Sequence, residues 1–263
     1  MNLKKILLSV AGYDPTSGAG IVLDLRVFQK YGYYGMGVLT SLTSQNTQTV
    51  KKVHCPTSRF VFEQYRHLRA DVEFSGIKVG MIGCAENITV IAKILTDNPK
   101  IPIVIDPVFK SSGGNWLYDK KSIPAYMAEI RAKASLLTPN LAEAEWISGI
   151  KVRNVAEMRT SAEKIYALTS TPCLIKGGHL RDQNVDILFD GKTYIRFKNK
   201  KLKKTVHGTG CFLSSSILCH LANGSPLDQA ASLAIKATHE AIKKAAQIGK
   251  GQLIIGDIQS TAS

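Results

Sequence analysis

The chain has 263 residues, 44% of them apolar, enough to bury a sizeable core and too many for a disordered or fibrous protein. Thirty-four lysines and arginines against 20 aspartates and glutamates give a net charge of +14. The lysines are dispersed except in KNKKLKK, Lys198 to Lys204, and no aromatic residues interleave with them as a base-stacking surface requires, so nucleic acid is not the expected partner. Five cysteines without a CxxC pair fit neither a disulfide framework nor a zinc site and point to a reducing cytoplasm.

The apolar run Ile6 to Ala11 is broken at once by Gly12 and Pro15, so it reads as a buried first strand and not a secretory leader. Ile21, Leu25 and Phe28 then repeat at helical spacing. Strand-like runs follow at Met36 to Leu42, Gly76 to Met81, Pro102 to Val108, Ser135 to Thr138 and Pro172 to Lys176, with helical patterns between most of them. Ala156 to Leu168 and Leu227 to Ala246 are the longer amphipathic stretches. Asp190-Gly191, between Val185–Phe189 and the run 192–197, has the composition of a type I′ hairpin turn. No run is long enough to span a bilayer. The alternation predicts one α/β domain over residues 1–263, a mostly parallel sheet with helices on both faces and a late hairpin. Ligands of such sheets gather at the carboxyl ends of the strands.

Chemistry-bearing residues fall at those ends. In TVHGTGCFLSSSILCHLA, Gly208 and Gly210 let backbone approach a ligand where a helix begins, and its first N–H groups and dipole favour an anion. An ordinary capped helix with Cys211 as a buried apolar residue fits equally; a thiol in the first turn is otherwise expected to ionise more readily than usual, below about 8.5. Gly12, Gly18 and Gly20 form a second loop before a helix, without the P-loop spacing. Asp24 sits on that helix between leucines, either functional or facing solvent. Asn140 with Glu143 is a helix cap or part of a metal site; Asp106 ends an apolar strand and pairs with Glu143 as a candidate Mg²⁺ site. Lys176 closes another strand beside two glycines. One lysine, two carboxylates and a helix start are what positioning a nucleoside triphosphate requires.

In this order, GYDPTSGAGIVLDLRVF, SQNTQTV, KVGMIG, IDPV, LLTPNLAEAE, LIKGGHL and VHGTGCFLSSSI resemble the hydroxymethylpyrimidine/phosphomethylpyrimidine kinases of thiamine synthesis, in the ribokinase-like superfamily, from about Ile6 to Ala246. The resemblance implies a three-layer αβα kinase, ATP with Mg²⁺, and two successive phosphorylations of 4-amino-5-hydroxymethyl-2-methylpyrimidine. It implies a pyrimidine pocket of Gly12, Asp24, Gln45, Met81 and Val108. It further implies an anion hole of Gly208, Thr209 and Gly210, with Cys211 as acceptor of the hydroxyl proton. Lys176, Asn140 and Thr209 would serve ATP, Lys236 would either approach the nucleotide or stand equally well as a solvated charge, and Asp106 and Glu143 would serve the Mg²⁺. A homodimer is implied as well. The loop after Val108 is one residue shorter than the family's, and the C-terminus lacks the family's histidine. Pyridoxal kinase activity is the neighbouring alternative, against which Gln45 argues; a non-catalytic basic nucleic-acid-binding protein is the alternative outside the enzymes.

Overall fold

The computed structural model describes residues 5–110, 116–117, 119–178, 180, 184–200, 202 and 204–256. The shortened loop after Val108 and part of the lysine run lie largely outside these residues. Nine strands form one sheet in the order β3-β2-β1-β4-β5-β6-β7-β8-β9. Its parallel part comprises β1 (Ile6–Tyr13), β2 (Tyr34–Gln45), β4 (Gly76–Val79), β5 (Ile103–Ile105), β6 (Leu136–Leu137) and β7 (Cys173–Ile175). Antiparallel β3 (Val50–His54) closes one edge, and the hairpin β8 (Val185–Phe189) and β9 (Tyr194–Lys198) closes the other.

Alternation of side chains along each strand supplies two cores. Leu8, Val10, Ile77, Val79, Ile103, Ile105 and Ile175 pack under α2 (Ser58–Asp71), α3 (Asn87–Thr96), α4 (Ile123–Glu129), α5 (Leu141–Ser148) and α6 (Val155–Thr169). Leu7, Val104, Leu136 and Leu174 face the other way, toward α1 (Gly20–Lys30), α7 (Thr209–Ala222) and α8 (Leu227–Lys243). The expected three-layer arrangement is present. A small parallel pair, β10 (Val206–His207) with β11 (Leu253–Ile254), ties the start of α7 to the C-terminal segment.

Two elements differ from the sequence expectation. Edge strand β3 has no apolar alternation, because only one of its edges is paired and its side chains are largely exposed. The β8–β9 hairpin forms, but through a four-residue connection. The Asp190 carboxylate accepts the backbone N–H groups of Lys192 at 2.8 Å and Thr193 at 2.7 Å, while only Gly191 has a positive φ, of 98°. A type I′ turn needs two such residues. An Asx-type turn won here because the carboxylate satisfies the loop's own donors.

β1 lies where the strand order reverses, so the crevice beyond its carboxyl end and that of β4 is the place for a ligand. Beneath that crevice Lys78 Nζ lies 2.9 and 3.0 Å from the two oxygens of Asp24, and neither side chain has any exposure. Ser9 and Ser215 donate hydroxyls to the same carboxylate at 2.6 and 2.9 Å. One ion pair thus joins β1, α1, β4 and α7. Removing one partner of such a pair leaves an uncompensated buried charge, so Lys78→Met should lower unfolding free energy by about 3–5 kcal/mol in denaturant titration. Lys78→Met combined with Asp24→Asn should recover most of that loss.

Candidate active site

A cavity of about 690 Å³ opens over this node. Its floor is backbone. Gly208 has φ 81°, and a side chain there would place its first carbon 1.8 Å from the carbonyl oxygen of Gly18. Gly20 is held likewise, with φ 61° and 2.3 Å from such a carbon to the carbonyl of Gly12. Only glycine permits either contact; the first brings the start of α7 against the loop after β1, and the second closes that loop between the end of β1 and the start of α1. Gly208, Thr209, Gly210 and Cys211 all line the cavity, with the helix N–H groups directed to that end.

Gly12, Gln45, Met81 and Val108 all line the cavity. A carbon added at Gly12 would meet the Met81 sulfur at 3.1 Å, so Gly12 and Met81 form one surface. Thr40 accounts for the position of Met81 by donating its hydroxyl to the Met81 carbonyl at 2.6 Å. Two residues not foreseen complete this wall. Asp14 accepts the N–H and hydroxyl of Thr16 at 2.9 and 2.8 Å, and its other oxygen lies 2.8 Å from His207 Nε2. Desolvation works against ionisation of Asp14, but the hydrogen bonds from His207 and Thr16 outweigh it and hold the carboxyl below its ordinary range. The Gln45 amide nitrogen is 3.2 Å from the same histidine nitrogen.

A charged set lines the same cavity. Lys176 Nζ sits 2.7 Å from Asp106 and 4.0 Å from Glu143, and a carbon on Gly210 would lie 3.2 Å from that ammonium and 3.3 Å from an Asp106 oxygen. The helix start, the lysine and the aspartate therefore share one corner. Thr138 donates to Asp106 at 3.2 Å. Asn140 and Glu143 both line the cavity and also form a complete capping box for α5; the cap and the site are the same residues. Burial pushes the Glu143 carboxyl up to about 8; Lys176 opposes the rise and Asp106 adds to it. Desolvation pulls Lys176 down, yet Asp106 and then Glu143 keep it above its ordinary value. Asp186, a further unforeseen wall residue, accepts the Gly177 N–H at 2.8 Å, and burial raises it to about 6.

Three expectations need correction. Asp24 does not line the cavity: its oxygens are taken by Lys78, Ser9 and Ser215 beneath the floor, so it neither meets a ring nor faces solvent. Lys236 is exposed, and α8 instead contributes Ile235, Thr238, His239 and Ile242 to the wall. Cys211 does not ionise readily. Burial of its sulfur pushes the thiol up to about 11; Lys78 pulls it down, and Asp24 and Asp106 push it further up. The helix start alone does not overcome that desolvation. Lys78 itself lines the cavity and was the most legible omission, a lysine inside the apolar run GIKVGMIG. His207 and Asp14 gave weaker signals, one beside a glycine and one before a proline.

A doubly flanked sheet with a glycine-bounded helix start facing a lysine–aspartate pair is the architecture of the ribokinase-like enzymes, and solved structures agree. A pyridoxal kinase of Bacillus subtilis in complex with ADP superposes with TM-score 0.87 at 27% identity, covering 96% of each chain. A phosphomethylpyrimidine kinase of Clostridium difficile gives 0.81 at 34% identity, covering 91% of this chain and all of its own. The family model described as phosphomethylpyrimidine kinase matches residues 14–256. A hydroxymethylpyrimidine/phosphomethylpyrimidine kinase of Aquifex aeolicus is 37% identical over 252 residues, 95% of this chain and 99% of its own. The chain belongs to the phosphomethylpyrimidine kinase family.

The raised Glu143 carboxyl has a consequence for stability. A carboxyl whose folded pKa exceeds its unfolded value of 4.5 adds stability at low pH that is lost as pH rises through about 8. Glu143→Gln keeps the cap but removes the titration. In metal-free protein its melting temperature should gain on wild type between pH 4.5 and 8 and hold that gain above, as scanning calorimetry at several pH values would record.

Proposed function

We propose that this protein transfers the γ-phosphoryl group of ATP to the hydroxymethyl group of 4-amino-5-hydroxymethyl-2-methylpyrimidine, and then a second one to the monophosphate formed. One observation carries the reading: a single cavity is lined both by an amide, Gln45, with apolar Met81 and Val108, and by the start of α7 beside Lys176 and Asp106. The amide complements an aminopyrimidine edge, the apolar residues its faces, and the helix start a migrating phosphoryl group. The names of the Aquifex and Clostridium relatives support the same acceptor, and the ADP complex of the Bacillus relative supports the nucleotide.

Lys176 holds charge near the ATP phosphates, and the Gly208 to Cys211 N–H groups offset the charge that develops on transfer. Asp106 and Glu143 supply the hard oxygens that suit Mg²⁺, and in the protein itself Lys176 is the cation that faces them. With two carboxylates in the corner, such an ion would keep water and phosphate among its ligands and would neutralise phosphate charge. Asn140 holds Glu143 in place through the capping box. A homodimer in the cytoplasm completes the proposal, resting on family resemblance and on five free cysteines.

The two transfers differ in their demand for a base. A neutral hydroxyl must lose a proton, whereas the monophosphate already presents anionic oxygen. Cys211 is the proton acceptor for the first transfer, acting as the thiolate with Lys78 as the neighbouring cation. Because the thiol is raised to about 11, kcat/KM for the alcohol should climb with pH across the range 8 to 10, and kcat/KM for the monophosphate should not. Cys211→Ala should cut the first transfer by about 100-fold or more and comparatively spare the second.

ATP-consumption assays with the pyrimidine alcohol, its monophosphate and pyridoxal as separate acceptors test the function. Turnover of both pyrimidines well above pyridoxal is expected. Preference for pyridoxal, or turnover of none, would refute the proposal.

A further inference from the structure

Asp14, Thr16, Thr43, Gln45 and His207 form a continuous hydrogen-bonded string at the cavity. As placed, Gln45 turns its amide nitrogen to His207 Nε2 and its oxygen to Thr43 Oγ1, each at 3.2 Å. Nitrogen and oxygen of an amide exchange by a half-turn, so the partners decide which is which. Asp14 is ionised and can only accept, so His207 Nε2 carries a hydrogen in the neutral ring and the charged ring alike. A nitrogen that donates to Asp14 cannot accept from the Gln45 amide. The Thr43 hydroxyl has one hydrogen and lies 3.0 Å from the Tyr13 carbonyl, so it too cannot serve the Gln45 oxygen at the same time. Turned over, the amide sets its NH₂ toward the Thr43 oxygen, which can accept, and its oxygen toward the Nε2–H, which Asp14 and Gln45 then share, so that no donor faces a donor.

We propose that Asp14, acting through His207, is a positioning residue that fixes the Gln45 amide and thereby selects the orientation in which a heterocycle binds. This rests on the aminopyrimidine reading above. With the oxygen on the His207 side, Gln45 accepts from an amino group there and donates to a ring nitrogen on the Thr43 side. In the pyrimidine alcohol the hydroxymethyl carbon neighbours the amino-bearing carbon on the side away from that nitrogen. It therefore points past His207 toward Gly208, which follows His207 directly, and so toward the start of α7. The opposite amide orientation would turn the hydroxymethyl group away from the phosphoryl site. The same geometry disfavours the 4-oxo counterpart of the substrate, whose carbonyl and ring N–H present acceptor and donor in reversed order.

Calorimetric binding of the 4-amino and 4-oxo alcohols, without ATP, tests this in wild type, Asp14→Asn and His207→Phe. Wild type should prefer the 4-amino ring by about tenfold or more, since a reversed pair leaves buried polar groups unmatched. Asparagine can donate to His207 Nε2 and release the amide to turn, so Asp14→Asn should shrink the preference at least about fivefold. His207→Phe, which removes the Nε2 hydrogen, should do the same. General damage to the pocket would weaken both ligands together and leave the ratio unchanged. An unchanged ratio in both variants overturns the inference while leaving the kinase reading intact. A wild type that binds neither alcohol defeats that reading, and this inference with it.

Discussion

The loop after β1 and the first turn of α7 touch through bare backbone, and the site exists because they can. No side chain fits at position 208, where its first carbon would stand 1.8 Å from the Gly18 carbonyl oxygen. The contact sets the loop after β1 and the start of α7 side by side in one cavity. β10 and β11 hold the contact from behind, with Val206 and His207 paired to Leu253 and Ile254. Two left-handed glycines, for which that conformation is relaxed, thus place groups that no regular element could bring together.

Electrostatics then divides the cavity into regions with different tasks. Lys78 and Asp24 neutralise each other under the floor, and two serine hydroxyls complete the carboxylate, so the pair holds four elements together without presenting net charge. Above it Lys176 faces two carboxylates of which one, Glu143, is raised by burial to about 8. Lys176 is the cation that faces both carboxyls here, and Mg²⁺ with a nucleotide would bring further charge of both signs into the same corner. Near both, burial raises the Cys211 thiol to about 11, with Lys78 pulling against the rise.

Much of this was legible in the chain. The parallel strands announced themselves as apolar runs because both faces are covered, and Asp106, Lys176 and the glycines stood out by falling at strand ends. The capping pattern at Asn140 and Glu143 read correctly as a cap and incompletely as a site, since a three-residue spacing says nothing about what lies across the cavity. Asp24 was misplaced because sequence marks a carboxylate as unusual among leucines without revealing its partner, a lysine 54 positions away. Asp14 and His207 are 193 positions apart and make sense only as a pair. β3 was missed for lack of apolar alternation on a singly paired edge strand, and Lys236 was carried over from resemblance, which cannot tell the inner face of α8 from the outer.

The most direct measurement is both phosphoryl transfers in Gly208→Ala, with circular dichroism and melting temperature recorded alongside. A methyl group there must push the Gly18 carbonyl away and draw the anion hole back from the heterocycle wall. Loss of both transfers by more than about 100-fold, the order expected when oxyanion donors are displaced, with the helical and strand content retained, is the predicted result. Transfer rates within a few-fold of wild type would contradict the claim that this backbone contact builds the site.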